Sequence, residues 1–595
     1  MKPEPVKRIE DLLCFIYGES AGRELYPRFL ELIAAFKPAA GSAARSSIGG
    51  GDALLITYGN ILFPPEQADS GAGESGLARL SGFLTKWNRG AFTYLHILPF
   101  HPYSSDDGFS VIDYRQVDGR FGSWDDIEVL GRRFKMVFDF VINHGSVESS
   151  WFKDFLAGRE EKAGWYLTRP RDYDYASVVR PRTSPLLTPF KRKDGSDVYV
   201  WTTFSADQAD YDFSNPAVLL EFTGILLEYA RRGGRIVRLD AIAYLWKEDG
   251  TPCLHHPRTH AVVKLFRAVI DALDLDMLIL TETNVPHEQN ISYFGGKTGA
   301  ASLDSLPEAH MVYNFALPPL VLHAAVSGDA GPLRAWAGNL PPPEPGRLFL
   351  NFLASHDGVG LTPAKGLVDE AAFAATIAEA QNRGALVSYK ASPGGAVPYE
   401  LNCSYASVVA PASLGSPELR ARAFLAAQAV LLALPGLPAV YFHSWIGSGA
   451  WTRGPALLGY NRAINREKPA LDKVEGELEN PASFRSLVYR GFKQLLAFRQ
   501  EEESCRQAGA LGAFDPRSAC RVLESPGPVF ALLRGSGDRR VLCAQNLGPR
   551  PVSFKITEPG SPVPELSLGP WETRWIARGV HAGGGGAVRS LSSAG

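Results

Sequence analysis

The segment Val237-Arg238-Leu239-Asp240-Ala241-Ile242-Ala243 decides the fold. Its apolar residues are typical of a parallel strand that is buried on both faces, where an unpaired charge has little room. Arg238 and Asp240 are two residues apart, so on a strand both side chains point to the same face. The arginine then holds the carboxylate ionised. The segment predicts either a nucleophilic carboxylate at a strand end or a structural ion pair at a barrel rim.

Two further segments favour the nucleophile, because each is an apolar run that ends in a carboxylate. The first is Met277-Leu278-Ile279-Leu280-Thr281-Glu282, and the second runs from Phe349 to Ser355-His356-Asp357. A chance ion pair does not predict three strands that each end in an acid. Because parallel barrel strands present their carboxyl ends on one face, these acids are candidate catalytic residues.

The order of the elements predicts an α/β fold, a (β/α)₈ TIM barrel. From residue 53 onward, eight apolar runs of strand length alternate with helical stretches. The runs cover residues 54–58, 92–98, 136–142, 235–240, 277–282, 310–315, 347–354 and 439–442.

The predicted barrel domain covers residues 51–515 and contains one inserted subdomain after its third strand. Residues of about 145–220 are too many for a simple crossover, so we assign them to this insertion. Residues 384–412 carry Pro393, Gly394, Gly395 and Pro398, and we interpret them as a loop near the barrel mouth.

Smaller regions flank the predicted barrel. Residues 1–50 form a helical extension that ends in an Ala/Gly/Ser-rich linker at 38–52. Residues 516–578 have short strand patterns separated by turns, which predict a small all-β domain. The glycine-rich residues 579–595 are predicted to be a disordered tail.

The composition excludes several classes of partner. The formal net charge of -2 argues against a general nucleic-acid or anionic-membrane binder. The most membrane-like run, 424–442, contains Gln428, Pro435, Gly436 and Pro438, and we interpret it as a buried helix, a turn and a strand. The six cysteines fit no zinc template, and scattered free thiols indicate a reducing, cytoplasmic location. We expect no metal and no cofactor.

Four ordered stretches resemble the motifs of the α-amylase superfamily (glycoside hydrolase family 13). They are Asp139-Phe140-Val141-Ile142-Asn143-His144, Val237-Arg238-Leu239-Asp240, Leu280-Thr281-Glu282-Thr283 and Ser355-His356-Asp357. The resemblance covers most of residues 53–578. Leu98-Pro99-Phe100-His101-Pro102 and Ile464-Asn465-Arg466 are most similar to its sucrose phosphorylase branch.

This resemblance implies a retaining mechanism on α-glucosides. Asp240 is then the nucleophile, Glu282 the general acid, and Asp357 the residue that stabilises the transition state. In retaining enzymes the two reacting carboxyl groups lie about 5–5.5 Å apart. We expect a raised pKa for Glu282 and a low pKa for Asp240, set by their different neighbours.

The resemblance also implies a pocket for one glucosyl unit. In it, His144 and His356 donate hydrogen bonds to sugar hydroxyls. The alternative for each is a histidine at the barrel rim whose hydrogen bonds are satisfied within the protein. The matching positions for the rest of the pocket are Asp106 paired with Arg466 at its far end, Phe109 and Phe204 as stacking or core residues, Gln208 near the glucosyl group, and Arg238 beside Asp240.

The acceptor side decides between phosphorylase and hydrolase. Arg182 matches the branch's phosphate-contacting position, although a solvated loop charge is the alternative. Residues 387–393, which include Tyr389 and Lys390, depart from the sucrose phosphorylase pattern and resemble glucosylglycerate phosphorylases of the same branch, as does the helical extension. Lys390 is either a cation for a glycerate carboxylate or a flexible surface lysine.

The predicted reaction is transfer of glucose from 2-O-α-D-glucosylglycerate to inorganic phosphate, giving α-D-glucose 1-phosphate and D-glycerate. The close alternatives are phosphorylases of sucrose, sucrose 6-phosphate or glucosylglycerol. The distant alternatives are an α-glucosidase or transglucosidase and a non-catalytic sugar-binding barrel. The oligomeric state is not predicted.

Overall fold

The structure is a computed structural model of the 595-residue chain. It describes residues 2–37, 47–64, 74–296, 303–342, 344–390, 395–504, 510–537, 539–557, 561, 563–578 and 588–593.

Eight parallel strands close into a barrel in which each strand pairs with its neighbours in the sequence of barrel strands. The first strand also pairs with the eighth, with Leu54 opposite Ala439. The (β/α)₈ prediction is therefore confirmed. The strands are Leu54–Thr57, Tyr94–Ile97, Lys135–Phe140, Gly234–Leu239, Leu278–Thr281, Met311–Tyr313, Leu348–Asn351 and Leu437–Tyr441.

Helices cover the outside of the barrel, which explains why the strands are apolar on both faces. Helix Pro216–Arg231 illustrates how the sequence starts them, because Asn215 accepts a hydrogen bond from the Ala217 N–H and Pro216 occupies the first turn. The described helices between and after the strands are Gly76–Trp87, Trp124–Gly131, Ser150–Leu156, Pro216–Arg231, Pro257–Ala272, His287–Ile291, Leu317–Ser327, Gly331–Gly338, Glu370–Asn382, Tyr405–Val409, Pro417–Ala433, Phe442–Trp445, Gly454–Leu458, Leu471–Glu479 and Phe484–Ser504.

Two small antiparallel sheets lie between the third and fourth barrel strands. His144–Ser146 pairs with Gln208–Asp210, and Leu187–Lys191 pairs with Asp197–Trp201. The first sheet starts immediately after the third barrel strand, so the inserted segment is tied directly to the carboxyl end of the barrel.

The prediction of a loop at 384–412 is wrong. Leu386–Lys390 and Val397–Asn402 form an antiparallel hairpin, and Val359–Gly360 adds a third strand to it. Pro398 is tolerated because the register shifts between Ser388 and Tyr389, where Pro398 lies opposite Tyr389, and proline is accepted at such irregularities. Pro393 and Gly394 lie outside the described residues.

The N-terminal extension consists of the helices Pro3–Tyr17 and Glu19–Ala34. The first helix packs on Pro257–Ala272 of the barrel, and Tyr17 donates a hydrogen bond to the Phe213 carbonyl at 3.0 Å. Most of the predicted linker, residues 38–46, lies outside the described residues.

The C-terminal region is all-β. Cys520–Val522, Val529–Arg534, Val541–Asn546, Thr573–Arg578 and Val588–Ser592 form one sheet, and Val552–Lys555 pairs with Glu565–Leu568. The prediction of a disordered tail at 579–595 is wrong for Val588–Ser592, which form a strand. The glycines at 583–586 drove that prediction, whereas the following residues pair antiparallel along Arg574–Arg578. Among the described residues, no helix is both long and apolar enough to span a bilayer.

Candidate active site

The three predicted catalytic carboxylates line one pocket at the carboxyl ends of the barrel strands. Asp240 follows the fourth strand directly, Glu282 follows the fifth, and Asp357 lies on the loop after the seventh. The parallel barrel thus brings together residues that are up to 117 positions apart in the sequence.

Arg238 holds Asp240 from behind. Its Nη1 donates to Asp240 Oδ1 and to Asp139 Oδ1, both at 2.6 Å, and its Nε donates to the Tyr313 hydroxyl at 3.1 Å. Asp139 lies opposite Arg238 on the third strand and also contacts His96 Nε2 at 2.7 Å. Arg238 is therefore placed to orient the carboxylate rather than to face the pocket.

The expected low pKa of Asp240 is wrong. Burial raises its pKa, and this effect exceeds the opposing attraction of Arg238 and His144. A smaller cause is the negative charge of Asp139, which shares one guanidinium nitrogen of Arg238 and disfavours ionisation of Asp240.

Glu282 has the raised pKa that a general acid needs. Burial raises it to about 7; Arg238 opposes this shift, while the nearby Asp240 and Asp357 add to it. The Ala241 N–H donates to Glu282 Oε2 at 3.0 Å, from a residue in the left-handed region at φ 48°. The turn after the fourth strand therefore links the nucleophile candidate to the acid candidate. A carboxyl group that titrates near neutral pH is suited to donate a proton.

Asp357 remains ionised although it is half-buried. Burial alone would raise its pKa, but Arg462, followed by His356 and Arg466, lowers it well below the ordinary value. Arg462 Nη1 lies 2.6 Å from Asp357 Oδ1, and His356 Nε2 lies 3.4 Å from Oδ2. Glu282 and Asp357 therefore differ in protonation because only Asp357 has a guanidinium in direct contact.

The far end of the pocket is closed by the predicted pair. Arg466 Nη1 lies 3.3 Å from Asp106 Oδ1 and 2.9 Å from Asp107 Oδ2, and its Nε donates to the His356 carbonyl at 2.8 Å. Tyr460 donates to Asp107 at 2.5 Å. Asp106 lines the pocket, whereas Arg466 is buried behind it.

Aromatic and polar side chains form the wall next to the carboxylates. Phe109 stacks on His356, with ring centroids 4.7 Å apart and planes within 7°. Phe204 packs against His144 at 5.1 Å. Gln208 donates to the Phe109 carbonyl at 3.2 Å. All five predicted residues line the pocket.

The predicted acceptor residues separate into two groups. Arg182 lines the pocket between Phe204 and Tyr399, with its guanidinium carbon 5.8 and 5.9 Å from their ring centroids. Tyr389 and Lys390 do not line it. Tyr389 is 51% exposed on the hairpin, and Lys390 lies behind Tyr399 at 5.6 Å from its ring.

The residues of the pocket wall that were not predicted include Tyr399, Glu400 and Arg462. Arg462 bridges Asp357 to Glu400, at 3.1 Å from Glu400 Oε1, and Glu400 also accepts from the Gly358 N–H at 2.9 Å. Arg462 precedes Arg466 by four residues, and this spacing was an available signal. No comparable signal in the sequence marked Tyr399 and Glu400, because we interpreted their segment as a loop.

Comparison with known proteins was consistent with this geometry. A family model described as "Alpha amylase, catalytic domain" matches residues 91–330. The glucosylglycerate phosphorylase of Spirochaeta thermophila is 46% identical, covering 91% of this chain and 89% of that protein. The glucosylglycerate phosphorylase of Escherichia coli (strain K12) is 38% identical over 88% of this chain and 91% of that protein. The crystal structure of sucrose 6F-phosphate phosphorylase from Thermoanaerobacter thermosaccharolyticum shares the fold, with a TM-score of 0.73 at 24% identity, over 92% of this chain and 100% of that one.

Proposed function

We propose that this chain, which belongs to the α-amylase family, is a retaining phosphorylase of 2-O-α-D-glucosylglycerate. Its reaction partners are then an α-glucoside and inorganic phosphate. The observation that carries the proposal is the pocket shared by Asp240 and a Glu282 whose pKa is about 7. The relatives named glucosylglycerate phosphorylase, which match about nine tenths of the chain, support the choice of substrate.

The first half-reaction forms a covalent glucosyl-enzyme. An Asp240 carboxylate oxygen attacks C1 of the glucosyl group, the bond from C1 to the glycerate oxygen breaks, and Glu282 gives its proton to that oxygen. Asp357, kept anionic by Arg462, stabilises the oxocarbenium-like transition state. Arg238 keeps its hydrogen bond to Asp240 Oδ1 while the carboxylate of Asp240 loses its charge on forming the ester.

The second half-reaction reverses the geometry with phosphate as the acceptor. A phosphate oxygen attacks C1, the bond from C1 to Asp240 breaks, and the Glu282 carboxylate takes the proton of the attacking oxygen. Two inversions give α-D-glucose 1-phosphate. Arg182 on the pocket wall is the cation that favours phosphate over water.

A charged acceptor is the feature that separates glycerate from the uncharged alternatives. Fructose and glycerol have no carboxylate to pair with Arg182 on the pocket wall, whereas glycerate has one. A non-catalytic sugar-binding barrel has no need for a buried acid that is protonated near neutral pH. The buried and half-buried thiols of Cys14, Cys253, Cys403, Cys520 and Cys543 are free, which supports the cytoplasm as the proposed compartment.

The acceptor is tested in the direction of synthesis. Purified enzyme receives α-D-glucose 1-phosphate with D-glycerate, D-fructose, fructose 6-phosphate or glycerol, and phosphate release is measured. We expect the highest kcat/KM with D-glycerate. A higher kcat/KM with fructose, fructose 6-phosphate or glycerol contradicts the proposed substrate and favours the corresponding alternative.

A further inference from the structure

Lys247 is a buried lysine beside the pocket to which the proposed mechanism assigns no role. It follows Asp240 by seven residues, and its side chain is 3% exposed. Its Nζ lies 2.6 Å from Asp210 Oδ2 and donates to Asn143 Oδ1 at 2.7 Å. Lys247 thus connects the loop after the fourth strand with Asn143, which precedes His144 directly.

The chemistry of Lys247 fixes the orientation of the Asn143 amide. An ammonium group only donates hydrogen bonds, so the Asn143 atom that it contacts must be the oxygen. The amide nitrogen of Asn143 then donates to Asp210 Oδ2 at 3.1 Å and faces His144 Nδ1 at 3.1 Å. A nitrogen that receives this N–H must be unprotonated, so the ring proton of His144 is on Nε2.

The pocket side of the His144 ring contains two competing neighbours. The Phe109 carbonyl lies 3.1 Å from Nε2 and accepts a hydrogen bond from the Nε2–H group. The Gln208 amide nitrogen lies 3.2 Å from the same Nε2 and would favour the opposite tautomer. Gln208 keeps its nitrogen toward the ring, because that nitrogen also donates to the Phe109 carbonyl at 3.2 Å and a carbonyl can only accept. If Asn143 turned its oxygen to Nδ1, both amides would favour the Nδ1–H tautomer, so the orientation set by Lys247 is what opposes Gln208.

We propose that Lys247 is a positioning residue that selects the Nε2–H tautomer of His144. In this tautomer the Nε2–H of His144 lies on the pocket side, where a hydroxyl of the bound glucosyl group shares it with the Phe109 carbonyl. Only the identity of that ligand rests on the proposed function. The tautomer itself follows from the contacts of Lys247, Asn143 and Phe109, which outweigh that of Gln208.

The tautomer is measured on the full chain labelled with ¹⁵N-histidine, using long-range ¹H–¹⁵N correlation, with His144→Gln to assign the signal. We expect protonated Nε2 and unprotonated Nδ1 in the wild type. In Lys247→Met the Asn143 amide is free to turn, and we expect the His144 signal to move to the Nδ1–H pattern or to a mixture. Lys264→Met is the matched control, because it also removes a buried lysine beside an acid, 3.5 Å from Glu308, and it should leave His144 unchanged.

A second variant keeps the test decisive. Lys247→Met leaves Asp210 buried without its cation, so Lys247→Met combined with Asp210→Asn removes both charges and protects folding. In either variant we expect kcat/KM for the glucoside to fall roughly fivefold to tenfold, the loss of about one hydrogen bond, mainly through KM. An unchanged Nε2–H tautomer in both variants overturns the proposal. A wild type that lacks phosphorolysis but shows the predicted tautomer overturns the proposed function alone.

Discussion

The proton on Glu282 sets the alkaline limit of activity. Its pKa of about 7 lies above the ordinary value for glutamate, so the protonated acid that the first half-reaction needs is lost as the pH rises through 7. We predict that kcat/KM for the glucoside falls about tenfold per pH unit above this pKa. A pH profile from 5 to 9 checks this. The Glu282→Gln variant should lose the activity, and its residual kcat/KM should not fall at alkaline pH. A wild-type profile that is flat to pH 9 contradicts the role of Glu282.

Arg182 is predicted to bind the phosphate acceptor. Arg182→Met removes a guanidinium from the pocket wall, so KM for phosphate should rise at least about tenfold, as expected when a charge-assisted hydrogen bond is lost. Arg180→Met is the control on the same loop, because Arg180 packs over Tyr175 and does not line the pocket. Equal phosphate KM values for the two variants would exclude the proposed role of Arg182.

The site residues could be predicted from the sequence where a chemical motif marks the end of a strand. Asp240, Glu282 and Asp357 follow apolar runs, so barrel geometry alone predicts that they meet. Arg462 and Tyr399 reach the pocket from segments without such a pattern, and only tertiary structure places them. The pKa of Asp240 also depends on Asp139 across the strand pair, a contact that spacing along one strand does not reveal.

The two N-terminal helices meet at a glycine. A Cβ atom on Gly22 would lie 2.5 Å from the Cys14 backbone, so Gly22→Ala forces the helices apart. We predict a loss of about 1–3 kcal/mol in the free energy of unfolding. Gly82→Ala is the matched control in helix Gly76–Trp87, because nothing lies within 4 Å of its Cβ position, and it should stabilise by about 0.5–1 kcal/mol. Denaturant unfolding of both variants measures the difference, and a Gly22→Ala variant as stable as the wild type contradicts this packing.

Strands could be predicted from the sequence where the hydrophobic pattern is strong. Their prediction failed where glycine and proline dominate the segment. All eight barrel strands were found because each is buried on both faces. The hairpin Leu386–Lys390 with Val397–Asn402 was missed because the sequence of this segment contains prolines, of which Pro398 is accommodated by a register shift. The strand Val588–Ser592 was missed because it depends on backbone pairing with Arg574–Arg578 rather than on an apolar pattern of its own.

At the scale of the whole molecule, the C-terminal sheet and the barrel share one apolar core. Trp575 of the sheet is fully buried and packs against Phe498 of the last described helix and against Phe514, with ring centroids 5.7 and 5.2 Å away. We predict that Trp575→Ala costs about 3–5 kcal/mol and that activity and secondary structure are lost together on heating. Leu457→Ala is the control, because Leu457 is 68% exposed. Activity that persists after the sheet has melted would contradict a shared core.

The central claim is that glucose is transferred from a glucoside to phosphate through Asp240. The most direct measurement is to incubate the enzyme with 2-O-α-D-glucosylglycerate, with and without inorganic phosphate, and to follow α-D-glucose 1-phosphate and free glucose by NMR. We predict phosphate-dependent formation of the α anomer, and its loss by at least about a thousandfold in a folded Asp240→Asn variant. Free glucose released at the same rate with and without phosphate, or turnover unchanged in Asp240→Asn, would contradict the claim.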